Sequence, residues 1–361
     1  MRVRHAAVTE FENRVLSGFV SCGAPFPELA GAQKPCMLAV SGGADSIALL
    51  TACVRLVSRL PPQRIPAEFH FLAVTVDHGI RPEPESFGDA LFVEAYCKTL
   101  PRAACRIVRF PPDAVRNEAQ ARRRGREDAA RALRYRAFEA AALESGASAV
   151  CLAHTKNDQS ETLLLRFLQG SAGGIPRARG IFVRPLLDIS RNEIESYLAA
   201  LSVGYRTDRT NSDTRYARNR VRHDLAPSLD RTFPGWQRAV LAGYEKTLDN
   251  LEAVRSLADR GAGAWSEAPA DGGRAVQMTE TAFFMQPRAV RRELLYGAFT
   301  RLGAVGRIPY RLVAEICDGE ARRPFRVSSG TLEIERSEGR IRVTNCAFPA
   351  DFAGNARRPH S

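Results

Sequence analysis

The chain has 361 residues, 45% hydrophobic and 25% charged, proportions that exclude intrinsic disorder, collagen-like repeats and coiled coil; at roughly 150 residues per domain it holds about two domains. Lysine and arginine outnumber aspartate and glutamate by 52 to 40, a net charge of +12 that favours a polyanionic partner, nucleic acid ahead of an anionic membrane surface. Only four cations are lysine (Lys34, Lys98, Lys156, Lys246); arginine, with a planar fork suited to phosphate, supplies the rest, although a GC-rich genome produces the same bias.

Residues 1–34 read as an N-terminal extension. They are basic, but Glu10, Glu12, Asn13 and Arg14 interrupt any apolar signal region. Apolar runs at Pro35–Val40, Phe69–Val76, Cys105–Phe110 and Ala149–Ala153 predict buried strands. Helical spacing marks Ser46–Leu60, Glu85–Leu100, Asn117–Ser145 and Gln159–Gln169 between and after them. This alternation predicts an α/β fold, a doubly wound parallel sheet with ligands bound beyond the carboxyl ends of its strands. A weaker strand, Ile181–Pro185, precedes a helix opening at Ser190, with Glu193 completing a capping box.

The arginine-rich stretch from Tyr205 to Arg222 ends the first domain, placed at 35–225. A smaller, mainly helical domain follows at 226–347, with helical patterns at Gln237–Asp259 and Arg288–Leu302 separated by Gly261–Gly273. It closes in a β-hairpin, Thr331–Glu335 and Arg340–Thr344 joined by Ser337-Glu338-Gly339; residues 348–361 read as a disordered tail. The eight cysteines form no CxxC pair and lie mostly in apolar runs, and no stretch of about 18 apolar residues occurs. These features predict a cytoplasmic protein with no membrane segment, its oligomeric state open.

The sharpest signal is Ser41-Gly42-Gly43-Ala44-Asp45-Ser46, directly after the first strand and before a helix. Two glycines let the backbone turn tightly, and successive N–H groups with the helix N-terminus form a nest for an anion. The serines add hydroxyl donors, and Asp45 is suited to hold a Mg²⁺ that neutralises pyrophosphate. The string lacks the lysine of a Walker A loop. It matches the SGGxDS signature of the PP-loop, or N-type ATP pyrophosphatase, superfamily, which implies cleavage of ATP to AMP and pyrophosphate.

Further blocks follow in order: Val76-Asp77-His78-Gly79-Ile80-Arg81, then His154 to Thr162, then Arg184-Pro185-Leu186-Leu187, then Asp208 to Arg222. Over about residues 35–225 they resemble the tRNA(Ile)-lysidine synthetase family, whose members attach free L-lysine to the wobble cytidine of the CAU anticodon of minor tRNA(Ile). The resemblance implies that Ser41, Gly42, Gly43, Ala44, Asp45, Ser46, Val76 and His78 bind ATP, and that Asp158 and Glu161, three apart on one helical face, bind lysine. Asp45 (with Mg²⁺), Arg126, Arg131 and Asp158 take the catalytic roles, the arginines meeting phosphate charge. The tRNA contacts are Arg134, Tyr135, Arg215, Arg218, Arg220 and Arg222, with Tyr135 placed to stack on a base. Eight arginines against three acids between 116 and 136 fit that reading.

The chain departs from the family pattern at Thr155, where a second histidine is usual, and at Asn157, where an aspartate is usual. His154 reads either as a core histidine or as a proton carrier. Two alternatives have different chemistry. A PP-loop tRNA thiolase usually uses paired cysteines, and a basic RNA-binding protein would keep the nucleotide loop only for regulation.

Overall fold

A computed structural model describes residues 2–24, 35–79, 85–123, 125–207, 217–270, 273–304, 310–318, 325–329 and 331–346. It forms two compact units, 1–244 and 245–361, so the division falls within the helix Trp236–Ala262 and not at the expected 225/226.

In the first unit, β1 (Cys36–Ala39), β2 (Phe71–Asp77), β3 (Ala103–Arg109), β4 (Val150–Cys151) and β6 (Phe182–Val183) run parallel, with β5 (Ala178–Arg179) antiparallel at one edge. Their order is β3-β2-β1-β4-β6-β5. Short apolar runs form these strands because both faces are covered. In β1, Leu38 enters one core with the helices α1 (Arg2–Ser21), α2 (Ala44–Val57) and α7 (Arg191–Leu201). Its neighbour Met37 enters the core on the other side, with Phe138, Ala141 and Ala142 of α5 (Arg126–Ser145). The remaining helices of the sheet region are α3 (Glu85–Lys98), α4 (Ala114–Arg122) and α6 (Lys156–Leu168). The connections reverse direction at β1, which pairs with β2 on one side and β4 on the other. That switch point opens a crevice at the carboxyl ends of β1 and β4.

Two expectations for the first unit's elements change. The single helix predicted over 117–145 is two helices, broken where Arg123 takes the left-handed conformation (φ 51°) and Gly125 is extended ahead of α5. The N-terminal segment is not appended to the domain but built into it. On α1, Phe11 stacks on Tyr197 with centroids 4.1 Å apart, and fully buried Glu12 pairs with Arg55 and Arg59 and accepts the Tyr197 hydroxyl at 3.0 Å. A Cβ at Gly18 would fall on the Pro185 carbonyl, so only glycine admits this approach.

After α7 the described chain continues with α8 (Ala217–Arg220), a π-helical turn (Val221–Leu225), α9 (Ala226–Thr232) and α10 (Trp236–Ala262).

The second unit, expected to be mainly helical with one hairpin, holds a five-stranded antiparallel sheet, β7 (Ser266–Ala268), β8 (Arg274–Thr279), β9 (Phe325–Ser329), β10 (Leu332–Ser337) and β11 (Arg340–Asn345), ordered β7-β8-β11-β10-β9. The helices α11 (Glu280–Phe284), α12 (Arg288–Arg301) and α13 (Tyr310–Asp318) accompany it. The hairpin stands where expected: Ser337 pairs with Arg340, and Glu338 (φ 51°) and Gly339 (φ 72°) make the two-residue turn that matches strand twist. The tail at 348–361 lies outside the described residues. No described helix is long and apolar enough to cross a membrane.

Candidate active site

The loop after β1 enters the crevice. Gly42 has φ +85°, the left-handed conformation that favours glycine, and it lies in ordinary packing distance of Phe92, Val93 and Arg206. Gly43 is the N-cap of α2 and offers no side-chain cap, so the first-turn N–H groups are left for a ligand. Ser46 locks the turn: its hydroxyl donates to the Gly43 carbonyl at 3.0 Å and accepts the Ser41 N–H at 3.1 Å. Asp45 projects from the first turn of α2. Burial pushes its carboxyl up to about 6, with Arg191 opposing and Asp158 adding to the rise. Its Oδ1 is buried without a hydrogen-bond partner, as befits an oxygen set for a cation.

At the end of β2, buried Asp77 accepts the Gly79 N–H at 2.9 Å and faces Arg109. Val76 is half-buried on that strand, and the His78 ring stacks on Phe110 with centroids 5.7 Å apart. A planar ring thus lies at the strand end where Val76 and His78 are expected to bind ATP.

From β4 the chain passes through His154 into α6. Thr155 caps that helix, accepting the Asp158 N–H at 3.3 Å, while its own N–H and hydroxyl bond Asp158 Oδ2 at 2.8 and 3.0 Å. The departure at Thr155 is therefore a capping box that aims Asp158. The other departure, Asn157, accepts the Arg191 N–H at 3.0 Å and ties α7 to α6. Burial pushes His154 well below its ordinary value, so the ring is neutral at pH 7, and its Nδ1 is buried without a hydrogen-bond partner. A neutral ring excludes a resident positive charge at His154.

Asp158 and Glu161 come together as expected, and they carry company. Arg218 Nη2 bonds Asp158 Oδ1 at 2.7 Å. Arg222 holds Glu161 bidentately, with two bonds of 2.8 Å, and reaches Asp158 Oδ1 at 3.2 Å. Burial pushes the Asp158 carboxyl up, but Arg218, the Thr155 N–H and Arg222 outweigh it and hold it below the usual carboxylate range. Two arginines expected on tRNA are thus seated on the two acids expected to bind lysine.

On α5, half-buried Arg134 is pulled down by burial and by neighbouring Arg131. Arg131 lies over the Tyr135 ring at 4.9 Å and bonds its hydroxyl at 3.1 Å, while Phe182 packs against the same ring at 4.7 Å. Tyr135, expected to stack on a base, has its ring engaged within the protein. Arg126 lines an open surface groove with Arg116, Gln120 and Arg123 at the break between α4 and α5. Arg220 is exposed, and Arg215 lies outside the described residues.

Sequence reasoning missed Arg191, whose Nη1 stands 3.5 Å from Asp45, and placed Arg206 only in the arginine-rich stretch, whereas its backbone N–H bonds the Gly42 carbonyl at 2.9 Å. The capping box announced α7 but not where its first residue would land. The glycine-rich loop after α6 is held by Arg166, which bonds the carbonyls of Gly173 and Gly174 at 2.8 and 2.7 Å, and by Gln159, which bonds Ile175.

A doubly wound sheet with a lysine-free phosphate loop at its switch point defines an ATP-using PP-loop protein, and residues 21–229 match the PP-loop domain family model. The chain belongs to the tRNA(Ile)-lysidine synthase family within that class. A tRNA(Ile)-lysidine synthase of Treponema pallidum (strain Nichols) is 37% identical over 341 residues, covering 90% of this chain and 68% of the relative. That of Treponema denticola is 44% identical over 247 residues, covering 67% of this chain and 50% of the relative. The solved U34-tRNA thiolase NcsA from Methanococcus maripaludis shares the fold, with a TM-score of 0.52 at 16% identity over 68% of this chain and 80% of that one.

Proposed function

We propose that the chain ligates free lysine to the 2-carbonyl carbon of the wobble cytidine in the CAU anticodon of minor tRNA(Ile), through an adenylated cytidine. The nest at Ser41–Ser46 takes the pyrophosphate end of ATP, and Asp45 is the residue to hold Mg²⁺, whose charge offsets that of the phosphates. The carbonyl oxygen of the cytidine attacks the α-phosphate and pyrophosphate leaves. The uncharged ε-amine of lysine then attacks the activated carbon, and AMP departs. Arg131, near enough for its charge to act on His154, adds positive charge to the crevice. Asp158 and Glu161 hold lysine, and their charge disfavours neutral amino acids, which would leave buried acids unpaired.

The observation that carries this reading is the convergence on one crevice of the uncapped loop, Asp45 with its unpartnered oxygen, and the acid pair on α6. The test is incubation with labelled ATP, lysine and a minor tRNA(Ile) transcript. AMP release that requires both lysine and the transcript is expected; release that ignores lysine overturns the reading.

A further inference from the structure

We propose that Arg218 and Arg222 are exchangeable counter-ions of the lysine site, holding Asp158 and Glu161 while RNA is absent and yielding them to lysine when RNA phosphates take the guanidinium groups. The inference rests on reading those two acids as the lysine site.

The bonding leaves no room for simple addition. Asp158 accepts four hydrogen bonds, two from Thr155 and one each from Arg218 and Arg222, which is the capacity of a carboxylate. Both oxygens of Glu161 are taken by Arg222, with Arg218 Nε 3.7 Å away. Two acids facing two arginines are neutral together. An entering ammonium meets two like charges and, on Asp158, no open lone pair.

The arginines are the partners free to leave. Their side chains are 32% and 28% exposed, against 14% and 8% for Asp158 and Glu161, so the acids sit inside and the guanidinium groups reach in from the solvent side. Asp158 is further fixed by its own capping box. Arg222 stands in a π-helical turn, a wide ladder found mostly as single turns at functional sites. A guanidinium fork fits a phosphodiester as well as a carboxylate, so RNA offers both arginines an equivalent partner. Exchange also sharpens selection. A neutral side chain that displaced Arg222 would leave a buried carboxylate unpaired, whereas an ammonium restores the pairing.

Exchange predicts positive coupling between lysine and RNA, and thermodynamic linkage makes it reciprocal. Labelled lysine is dialysed against the full chain without ATP, with and without minor tRNA(Ile) transcript. Lysine affinity is expected to rise about tenfold or more with RNA, and RNA affinity by the same factor with saturating lysine. Arg222→Gln and, independently, Arg218→Gln are expected to tighten lysine binding without RNA and to shrink the coupling. Equal lysine affinity with and without RNA overturns the exchange, as does a weakening of lysine binding by both variants with coupling unchanged. Asp158→Asn checks the underlying reading separately. If it leaves lysine binding intact, the acids are not the lysine site and the exchange falls with them.

Discussion

Arg191, the first residue of α7, stands 3.5 Å from Asp45 on the first turn of α2, so the one charged side chain of the phosphate loop faces a cation delivered from a distant helix. The pairing is incomplete: Asp45 Oδ1 keeps no hydrogen-bond partner, and burial holds the carboxyl up near 6.

The pH dependence follows from that shift. Because the folded value lies above the ordinary one, Asp45 favours the fold only toward acid, and this contribution is lost as pH rises through 6. Cation binding runs the other way, since the metal must replace the proton. Mg²⁺-dependent ATP binding is expected to be full above pH 7 and about tenfold weaker at pH 5, one unit below the Asp45 value. Asp45→Asn removes the acid limb along with the metal dependence. Calorimetric titration of Mg²⁺–ATP from pH 5 to 8 decides it, and a flat wild-type profile refutes the assignment.

Thr155→Val keeps the volume of the cap and removes its hydroxyl. Loss of the cap is expected to cost about 1 kcal/mol of stability and, because Asp158 loses one of the two hydrogen bonds that Thr155 gives it, to raise the lysine KM while leaving the ATP KM unchanged. Steady-state kinetics with each substrate varied in turn separates the two. Equal changes in both constants would mean that the helix, not the aim of Asp158, is what Thr155 supports.

Arg116, Arg123 and Arg126 line the exposed groove at the α4–α5 break. Their joint replacement by glutamine is expected to weaken tRNA binding across sequences and to lower the slope of log affinity against log salt by about 2, from up to three lost phosphate contacts. ATP binding should not change. A loss of turnover at saturating tRNA would instead support the catalytic role that the family resemblance implies for Arg126.

Glu12→Ala leaves Arg55 and Arg59 without their shared buried partner. Since both arginines remain about a third exposed, water relieves part of the penalty. A loss of about 2–3 kcal/mol is expected, below the full cost of breaking a fully buried pair. Denaturant unfolding measures it, and an unchanged midpoint would show that the Glu12 pairs do not stabilise the fold.

Local signals were legible where local physics sets the structure. The four main strands, the Ser190–Glu193 box, the turn at Glu338-Gly339 and the loop at Ser41–Ser46 each depend on residues within a few positions of one another. The break at Arg123 to Gly125 was hidden because arginine is a good helix former and gives no hint of a left-handed residue. The strands β7, β8 and β9 escaped because their short, polar-interrupted runs resemble connecting loops. The site was legible by residue type and not by pairing. Asp158 and Arg218 are 60 positions apart, and nothing in either neighbourhood announces that they meet.

The backbone of the phosphate loop is sorted by polarity. A chain that turns its N–H groups toward an anion must turn carbonyl oxygens elsewhere, and those oxygens need donors. Here the Gly42 carbonyl takes the Arg206 N–H, and the Gly43 carbonyl takes both the Ser46 hydroxyl and the Ile47 N–H. With these two carbonyls satisfied from behind, the glycine backbone is free to turn its donors to the crevice, and Asp45 Oδ1 is the acceptor left there for a cation. The loop is a one-sided receptor before any ligand arrives, and the strand of chain leading to the arginine-rich stretch is part of what keeps it so.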